Sequence, residues 1–122
     1  MTIFSGVGAP QSVAGSNGGK TYAFNSINAT LNVVVAPINP TRRRITFVNP
    51  STTVILYVSM TTAIDPIFGT ASPLTTTVAL LGGSLPIYPG SYVTIDGDCQ
   101  CQWQALSASG TANPLTVLDS VS

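Results

Sequence analysis

Few residues of this chain have side chains suited to catalysis, and they are sparsely placed. The 122-residue sequence contains no histidine, and all four of its acidic residues are aspartates. Acid or base catalysis would therefore fall to aspartate, cysteine or tyrosine, and no pair of these has a spacing typical of an enzyme. The sequence predicts a protein that is not an enzyme and that needs no cofactor.

Cys99 and Cys101 are the chain's only two cysteines. Zinc takes four ligands, so a zinc site would have to be shared between subunits. A disulfide between residues two apart in an extended strand would be strained, because the two sulfurs lie on one face at an unsuitable distance. We therefore expect both thiols to act as small buried hydrophobic groups beside Trp103 in a reducing compartment.

The segment Asp96-Gly97-Asp98 could offer carboxylate oxygens to Ca²⁺. A calcium ion takes six to eight ligands, however, and two carboxylates on either side of a glycine are more typical of a turn. We interpret this segment as a turn, and the sequence predicts no metal site.

Arg42, Arg43 and Arg44 form the chain's one basic cluster. Guanidinium groups pair well with phosphate and with carboxylate. Nucleic-acid-binding proteins usually present a broad basic surface, whereas this chain has four basic residues and a net charge of zero. We therefore favour salt bridges to acidic groups of a neighbouring protein over nucleic acid. A merely solvated strand end stays open as the simplest alternative.

The arginines lead into the strongest β-strand signal of the sequence. Residues 42–48 and 54–60 are rich in β-branched and aromatic side chains, and Asn49-Pro50-Ser51 lies between them. This pattern predicts two antiparallel strands around a short loop. In the first strand, Arg42 and Arg44 would share one face and Arg43 would take the other.

Further short strands are expected along the chain. They cover residues 21–24, 31–36, 85–88, 92–95, 99–105 and 113–118. Pro89-Gly90 predicts a type II turn between two of them. With no amphipathic helix pattern, the sequence predicts an all-β fold, an antiparallel sandwich or jelly roll of about eight short strands.

Two of these strands have a clear inward and outward face. From Cys99 to Ala105 every second residue is apolar, which places Cys, Trp and Ala inward and a row of three glutamines outward. In the last strand, Leu115 and Val117 are the expected inward residues. Such a glutamine row could bind sugar hydroxyls, contact a protein partner, or simply be solvated.

Two segments outside the strands are candidates for contacts with a partner. Residues 1–20 contain five glycines and predict an extended or flexible N-terminal arm, followed by a single domain over residues 21–122. Residues 61–77 form a long connection of the kind that often makes contacts. Apolar anchors occur in both segments: Ile3, Phe4 and Val7 in the arm, and Ile67 and Phe68 in the connection.

The charges are few and are divided along the sequence. Charged residues make up 7% of the chain; the four cations all precede residue 65, and the four anions lie at or after it, so the two parts carry +4 and −4. This division suggests complementary poles that meet across a repeated subunit contact. No apolar run approaches the roughly 18 residues that cross a bilayer, so we expect no membrane contact.

Three segments together resemble the small β-rich head proteins of tailed bacteriophages known as cement or decoration proteins. They are RRRITFVNPSTTVILYVS, LPIYPGSYVTI and CQWQALSASGTANPLTVLDS. The resemblance implies a protein made in the bacterial host cytoplasm that sits on the virion as a homodimer or homotrimer and ties neighbouring major capsid protein subunits together. It carries over no catalytic residues.

On that expectation, the partner-binding residues come from four parts of the chain. They are Ile3, Phe4 and Val7; Arg42, Arg43 and Arg44; Ile67 and Phe68; and Leu115 and Val117, whose strand would join its own sheet or a neighbour's. Two other functions stay open. One is a receptor- or glycan-binding module of a phage fibre or tail, and the other is a jelly-roll coat protein whose basic segment meets packaged nucleic acid.

Overall fold

Eight β-strands make up the described part of the chain. The computed structural model describes residues 19–61, 82, 84–97 and 99–120. The strands are β1 (Lys20–Ile27), β2 (Val33–Ala36), β3 (Arg44–Val48), β4 (Leu56–Thr61), β5 (Leu85–Ile87), β6 (Tyr92–Asp96), β7 (Gln102–Ser107) and β8 (Asn113–Ser120). Within these residues, no helix is long and apolar enough to cross a bilayer.

The strands form two antiparallel four-stranded sheets. The first sheet has the order β1-β8-β3-β6, and the second has the order β2-β7-β4-β5. In both sheets, strands of the first half of the chain pair with strands of the second half: β1 with β8, β2 with β7, β3 with β6 and β4 with β5. This nested pairing is that of one long hairpin rolled into two layers, which is a jelly roll. The predicted all-β fold class is confirmed.

Side chains that point between the two sheets form the core. Ile45 and Phe47 of β3 and Leu115 and Val117 of β8 are all buried there. Trp103 of β7 meets them from the second sheet, and its ring centroid lies 5.1 Å from that of Phe47. Since β3 and β7 belong to different sheets, this aromatic pair joins the two layers.

The predicted hairpin between residues 42–48 and 54–60 is wrong. Both strands exist, but β3 lies in the first sheet and β4 in the second. Asn49 explains the difference, because it is buried and its side-chain amide donates to the carbonyls of Val54 and Ile87, both at 2.8 Å. The segment between the strands is therefore a corner that leads from one layer to the other.

The Pro89-Gly90 turn is confirmed. The Ser91 N–H donates to the Tyr88 carbonyl at 3.0 Å, and Gly90 has a φ of 74°. A positive φ at the second central position is what defines a type II turn and requires glycine there. This turn also leads from one sheet to the other, since β5 and β6 belong to different layers.

The strand predicted over residues 99–105 begins only at Gln102, since β7 covers Gln102–Ser107. The burial of its inward residues is confirmed, and its outward face is corrected. Cys99, Trp103 and Ala105 are buried, whereas Cys101 is half-buried against the core. The glutamines were expected to form an outward row, yet Gln104 is only 9% exposed. Its amide accepts a hydrogen bond from Asn32 and donates one to Gln102 at 3.1 Å, so part of the row is bonded to itself.

The connections between strands lie at two opposite ends of the sandwich. Backbone hydrogen bonds join connections at the same end. Typical links are Ala108 N–H to the Ile55 carbonyl in one set and Asn39 N–H to the Gln100 carbonyl in the other. The first set, which we call the loop end, consists of residues 28–32, 49–55, 88–91 and 108–112. The second, which we call the charged end, consists of residues 19–20, 37–44, 96–97, 99–101 and 119–120.

Replacing Phe47 by alanine is expected to lower the free energy of unfolding by about 3–5 kcal/mol, because it leaves a cavity against Trp103 between the sheets. Urea denaturation measures this directly. Tyr92→Ala is the matched control, since Tyr92 is an aromatic residue that is 71% exposed. Its free energy of unfolding should stay within about 0.5 kcal/mol of the wild type. Equal losses in both variants would contradict the proposed inter-sheet role.

Candidate contact surface at the charged end

The strand pairing of the jelly roll brings together charges that are far apart along the sequence. Paired strands come from opposite halves of the chain, so cations of the first half face anions of the second. In the strand register, Arg44 is opposite Asp96, and Lys20 is opposite Asp119. Two of these cations form ion pairs within the chain, Arg42 with Asp119 and Arg44 with Asp96. Poles that meet between subunits stay a prediction.

Arg42 is at the centre of this end and is completely buried. Its Nε donates to Oδ1 of Asp119 at 2.8 Å, and its Nη2 donates to Oδ2 of the same carboxylate at 3.2 Å. Asp119 is itself only 5% exposed. The two side chains therefore form a buried, two-pronged ion pair of the kind that arginine geometry favours.

The remaining donors of Arg42 go to backbone carbonyls. Nη1 donates to Cys99 at 2.9 Å and to Cys101 at 3.0 Å, and Nη2 donates to Pro37 at 2.8 Å. A guanidinium has five N–H groups, and all five are used here. Arg42 thus ties the β2–β3 connection, the β6–β7 connection and β8 into one unit.

The prediction that Arg42 is presented at the surface for a partner is wrong. The carboxylate of Asp119 is buried and needs a countercharge. Arg42 supplies that countercharge inside the domain. The sequence did carry a signal for this. Asp119 continues the every-second-residue phase of Leu115 and Val117, which places it on the inward face of β8.

Arg43 and Arg44, in contrast, have exposed side chains. The Nε of Arg44 lies 2.5 Å from Oδ1 of Asp96, and this hydrogen bond, with the charge of Asp96, raises the pKa of Arg44. The backbone of Arg43 is fixed on both sides, because its N–H donates to Ser120 at 2.8 Å and its carbonyl accepts from Gly97 at 3.0 Å. Two of the three predicted arginines therefore remain candidates for contact.

A groove lies beside Arg44 on the outer face of the first sheet. Its volume is about 360 Å³. Thr46 and Leu118 line it together with Lys20 and Arg44, and it reaches Gly19, the first described residue. Its lining combines apolar, hydroxyl and cationic side chains, and it also includes Asp119.

The cysteines belong to the Arg42 network. Both are thiols, and their carbonyls accept from Arg42. Burial raises the pKa of Cys101, and the nearby charge of Arg42 partly opposes this rise. Among the residues that the structure describes, no group of three potential metal ligands occurs. The expectation of a buried thiol beside Trp103 is confirmed for Cys99.

Leu115 and Val117 are not available to a partner. They are 1% and 0% exposed, and β8 has β1 on one side and β3 on the other. Both backbone edges of β8 are therefore already paired. Of the two possibilities left by the sequence, the strand joins its own sheet, and the assignment of these two residues as partner-binding is wrong.

The other predicted contact residues lie outside the described part of the chain. They are Ile3, Phe4, Val7, Ile67 and Phe68. The residues from which their segments depart are described, and these lie at the charged end. The N-terminal segment joins at Gly19, whose own surroundings include Asp119, and the long connection leaves from Thr61, which pairs with Gln102.

Comparisons of the chain with protein-family models, with curated proteins and with solved structures found no match. What can be said of function therefore comes from the arrangement of the chain's own residues. That arrangement singles out the charged end, where exposed arginines, a groove and two departing segments occur together.

Replacing Arg42 by methionine is expected to lower the free energy of unfolding by about 3–5 kcal/mol, because it leaves the Asp119 carboxylate buried without a countercharge. The double variant Arg42→Met/Asp119→Leu should lose less than the sum of the two single variants. Urea denaturation of the three proteins gives these values. Arg44→Met, which removes an exposed cation from the same end, should leave the unfolding midpoint close to that of the wild type.

Additive losses in the double variant would show that Arg42 and Asp119 do not depend on each other. If Arg42→Met does not fold, Arg42→Lys provides a milder change. It keeps the charge but cannot supply the planar two-pronged contact, so it should also be less stable than the wild type.

Proposed function

We propose that this chain is a structural virion protein that binds the outer surface of a phage capsid and stabilises it by bridging neighbouring major capsid subunits. The observation that supports this best is that its candidate contact features converge on one end of the jelly roll. Arg43 and Arg44 lie there, and so do the points where the N-terminal segment and the long connection depart.

A protein that bridges subunits needs segments that extend to neighbouring subunits as well as a rigid domain. Residues 1–19 precede β1, and residues 62–84 separate β4 from β5. Both stretches carry the apolar residues suggested as anchors, and both are joined to the domain at the same end. One docking event at this end would therefore bring arm, connection and arginines to the capsid together.

The exposed arginines would orient the protein on the capsid. Arg43 and Arg44 would pair with acidic groups of the capsid, and such pairs contribute more to orientation and partner choice than to affinity. Their backbone positions are fixed by the hydrogen bonds of Arg43 to Ser120 and Gly97 and by the buried Arg42 beside it. A fixed backbone lowers the entropy lost when the partner binds.

The architecture is compatible with this role. Jelly rolls occur in viral capsid proteins and in lectin domains, and a fold alone does not determine function. The resemblance of three sequence segments to phage decoration proteins is what directs the proposal to a capsid. Nucleic acid is a weaker candidate for the partner, because the burial of Arg42 breaks up the basic cluster.

Purified capsids that lack the protein are expected to bind it to saturation at a fixed ratio and to melt at a higher temperature. Arg43→Gln/Arg44→Gln should weaken this binding roughly severalfold, because both exposed arginines are lost. Thr52→Gln/Thr53→Gln is the matched control, since these exposed residues belong to the loop end. Sedimentation of labelled protein with capsids measures the occupancy.

Unchanged occupancy of the arginine variant would remove these two residues from the contact. Absence of any binding by the wild-type protein would refute the proposed function as a whole.

A receptor- or glycan-binding module is the second candidate, and one observation favours it. Sugar recognition generally uses an exposed aromatic ring, and the only tryptophan, Trp103, is buried. Tyr88 and Tyr92, however, are 57% and 71% exposed on either side of the Pro89-Gly90 turn. They provide the aromatic surface that the tryptophan does not.

If the protein is such a module, it should bind neutral oligosaccharides on a glycan array. Tyr92→Ala should then reduce the signal about tenfold, because stacking of the ring on the sugar is lost, while the folded state is kept. Arg43→Gln serves as the control and should bind like the wild type. An array without signal would leave the capsid-binding proposal as the one to pursue.

A further inference from the structure

Among the edge strands that the structure describes, β6 (Tyr92–Asp96) is the one with no feature that hinders pairing with another chain. The edge strands of the two sheets are β1 and β6, and β2 and β5. β5 has three residues with Pro86 at its centre, and β1 and β2 each contain a shift in register. Proline and irregular pairing both hinder the addition of a further strand. β6, in contrast, pairs with β3 in an unbroken register.

Hydrogen bonds at both ends of β6 show which way its backbone groups point. The Asn49 N–H donates to the Ser91 carbonyl at 2.9 Å, and the Gly97 N–H donates to the Arg43 carbonyl at 3.0 Å. In an antiparallel pair, residues that bond to the neighbouring strand alternate with residues that do not. Both ends therefore give the same phase, in which the odd-numbered residues of β6 bond to β3.

The even-numbered residues of β6 direct their backbone N–H and C=O groups away from the sheet. They are Tyr92, Thr94 and Asp96, and all three are exposed. No strand in the described part of the chain lies on that side of β6. Three donors and three acceptors in a row are therefore open to a further strand, which is how sheets recruit extended partners.

We propose that β6 pairs antiparallel with β6 of a second copy of this chain, about a two-fold axis that passes beside Thr94. In this register, Thr94 lies opposite Thr94 of the second copy, and Tyr92 lies opposite Asp96 of the second copy. Each facing pair exchanges two backbone hydrogen bonds, so every outward N–H of β6 gains an acceptor. The first sheets of the two copies become one sheet of eight strands.

The side chains of β6 match in the same register. On the outer face, the Thr94 hydroxyl already bonds to that of Thr46 at 2.9 Å, and the pairing adds a contact between the two copies of Thr94. On the inner face, the β-branched Val93 lies opposite the β-branched Ile95 of the second copy. The strand is therefore complementary to itself, which selects a second copy as its partner.

The charge of Asp96 favours this register over its neighbours. With Thr94 at the axis, the two copies of Asp96 are four positions apart along the strands, which is roughly 14 Å. This separation exceeds the Debye length of about 8 Å at physiological ionic strength, so their repulsion is screened. Each carboxylate is also paired with Arg44 of its own chain. A shift that placed Asp96 opposite itself would bring the carboxylates together and would leave fewer facing pairs.

This pairing concerns the protein in solution and does not rest on the proposed function. Because the strands run antiparallel, the charged ends of the two copies point in opposite directions. A capsid contact through one charged end would place the loop end of the second copy beside it. The paired form is therefore that of the free protein, and the proposed capsid contact belongs to the single chain.

Light scattering of the purified full chain should show the mean mass rising from one chain towards two. A contact through one strand edge is small and therefore weak, so the measurement runs from about 1 µM to about 1 mM. Thr94→Asp should raise the dissociation constant about tenfold or more, because the new carboxylate lies opposite its own copy. Thr116→Asp is the matched control, since it changes a threonine of the same sheet on β8, two strands from β6. It should associate like the wild type.

Two further variants separate the backbone contact from the side chain. Thr94→Pro removes the outward N–H at the axis and should weaken the association; proline is tolerated on an edge strand where the N–H points away from the sheet. Thr94→Val keeps the N–H and should associate like the wild type. Thr94→Asp mixed with Thr94→Lys should form a mixed dimer more tightly than either variant associates alone. Circular dichroism checks the fold of each variant.

Amide exchange measured by nuclear magnetic resonance identifies the edge that pairs. The N–H groups of Tyr92, Thr94 and Asp96 should exchange more slowly as the protein concentration rises. Those of Val93 and Ile95, which bond to β3, should keep the same rates. Thr94→Asp should still bind capsids, since it leaves the charged end unchanged, so this proposal and the capsid-binding proposal can fail separately.

A wild-type chain that stays a monomer at about 1 mM would overturn the proposal. A trimer would also do so, because a two-fold contact through this edge closes at two chains. A dimer that Thr94→Asp leaves intact would place the contact elsewhere. Slow exchange of the three outward amides on capsids alone, without self-association, would assign the edge to the capsid protein instead of a second copy.

Discussion

The charged end of the domain depends on the buried ion pair between Arg42 and Asp119. An isolated buried charge is very costly, and a buried pair adds little net stability compared with apolar side chains of the same shape. What the pair contributes is geometry, because the five donors of Arg42 join two connections to β8. Arg43 and Arg44 directly follow Arg42 in the sequence, so the positions of these exposed arginines depend on a buried one.

Because of the jelly-roll strand pairing, the charges that are divided along the sequence meet at one end of the domain and leave the other end neutral. Because each strand of the first half pairs with a strand of the second half, cations and anions that are far apart in sequence meet at one end. The opposite end is left without charge and is organised by Asn49 and Asn113 instead. The two ends of the domain therefore differ in charge.

Local features of this structure were predictable from the sequence, and long-range ones were not. Alternation located the strands and the inward phase of Leu115 and Val117, and the chemistry of Pro89-Gly90 gave the turn. Strand partners depend on contacts between distant residues, so a corner at Asn49 looked like a hairpin turn. Burial of Arg42 was missed for the same reason, since it follows from the inward position of Asp119, 77 residues away.

The orientation of the domain on the capsid tests the central claim most directly. Electron cryomicroscopy of capsids saturated with the wild-type protein would show it, because the two ends differ in their connections. We expect the charged end, with Arg43 and Arg44, to face the capsid and the loop end to point away from it. A loop end seated on the capsid, with the charged end in solvent, would contradict the account.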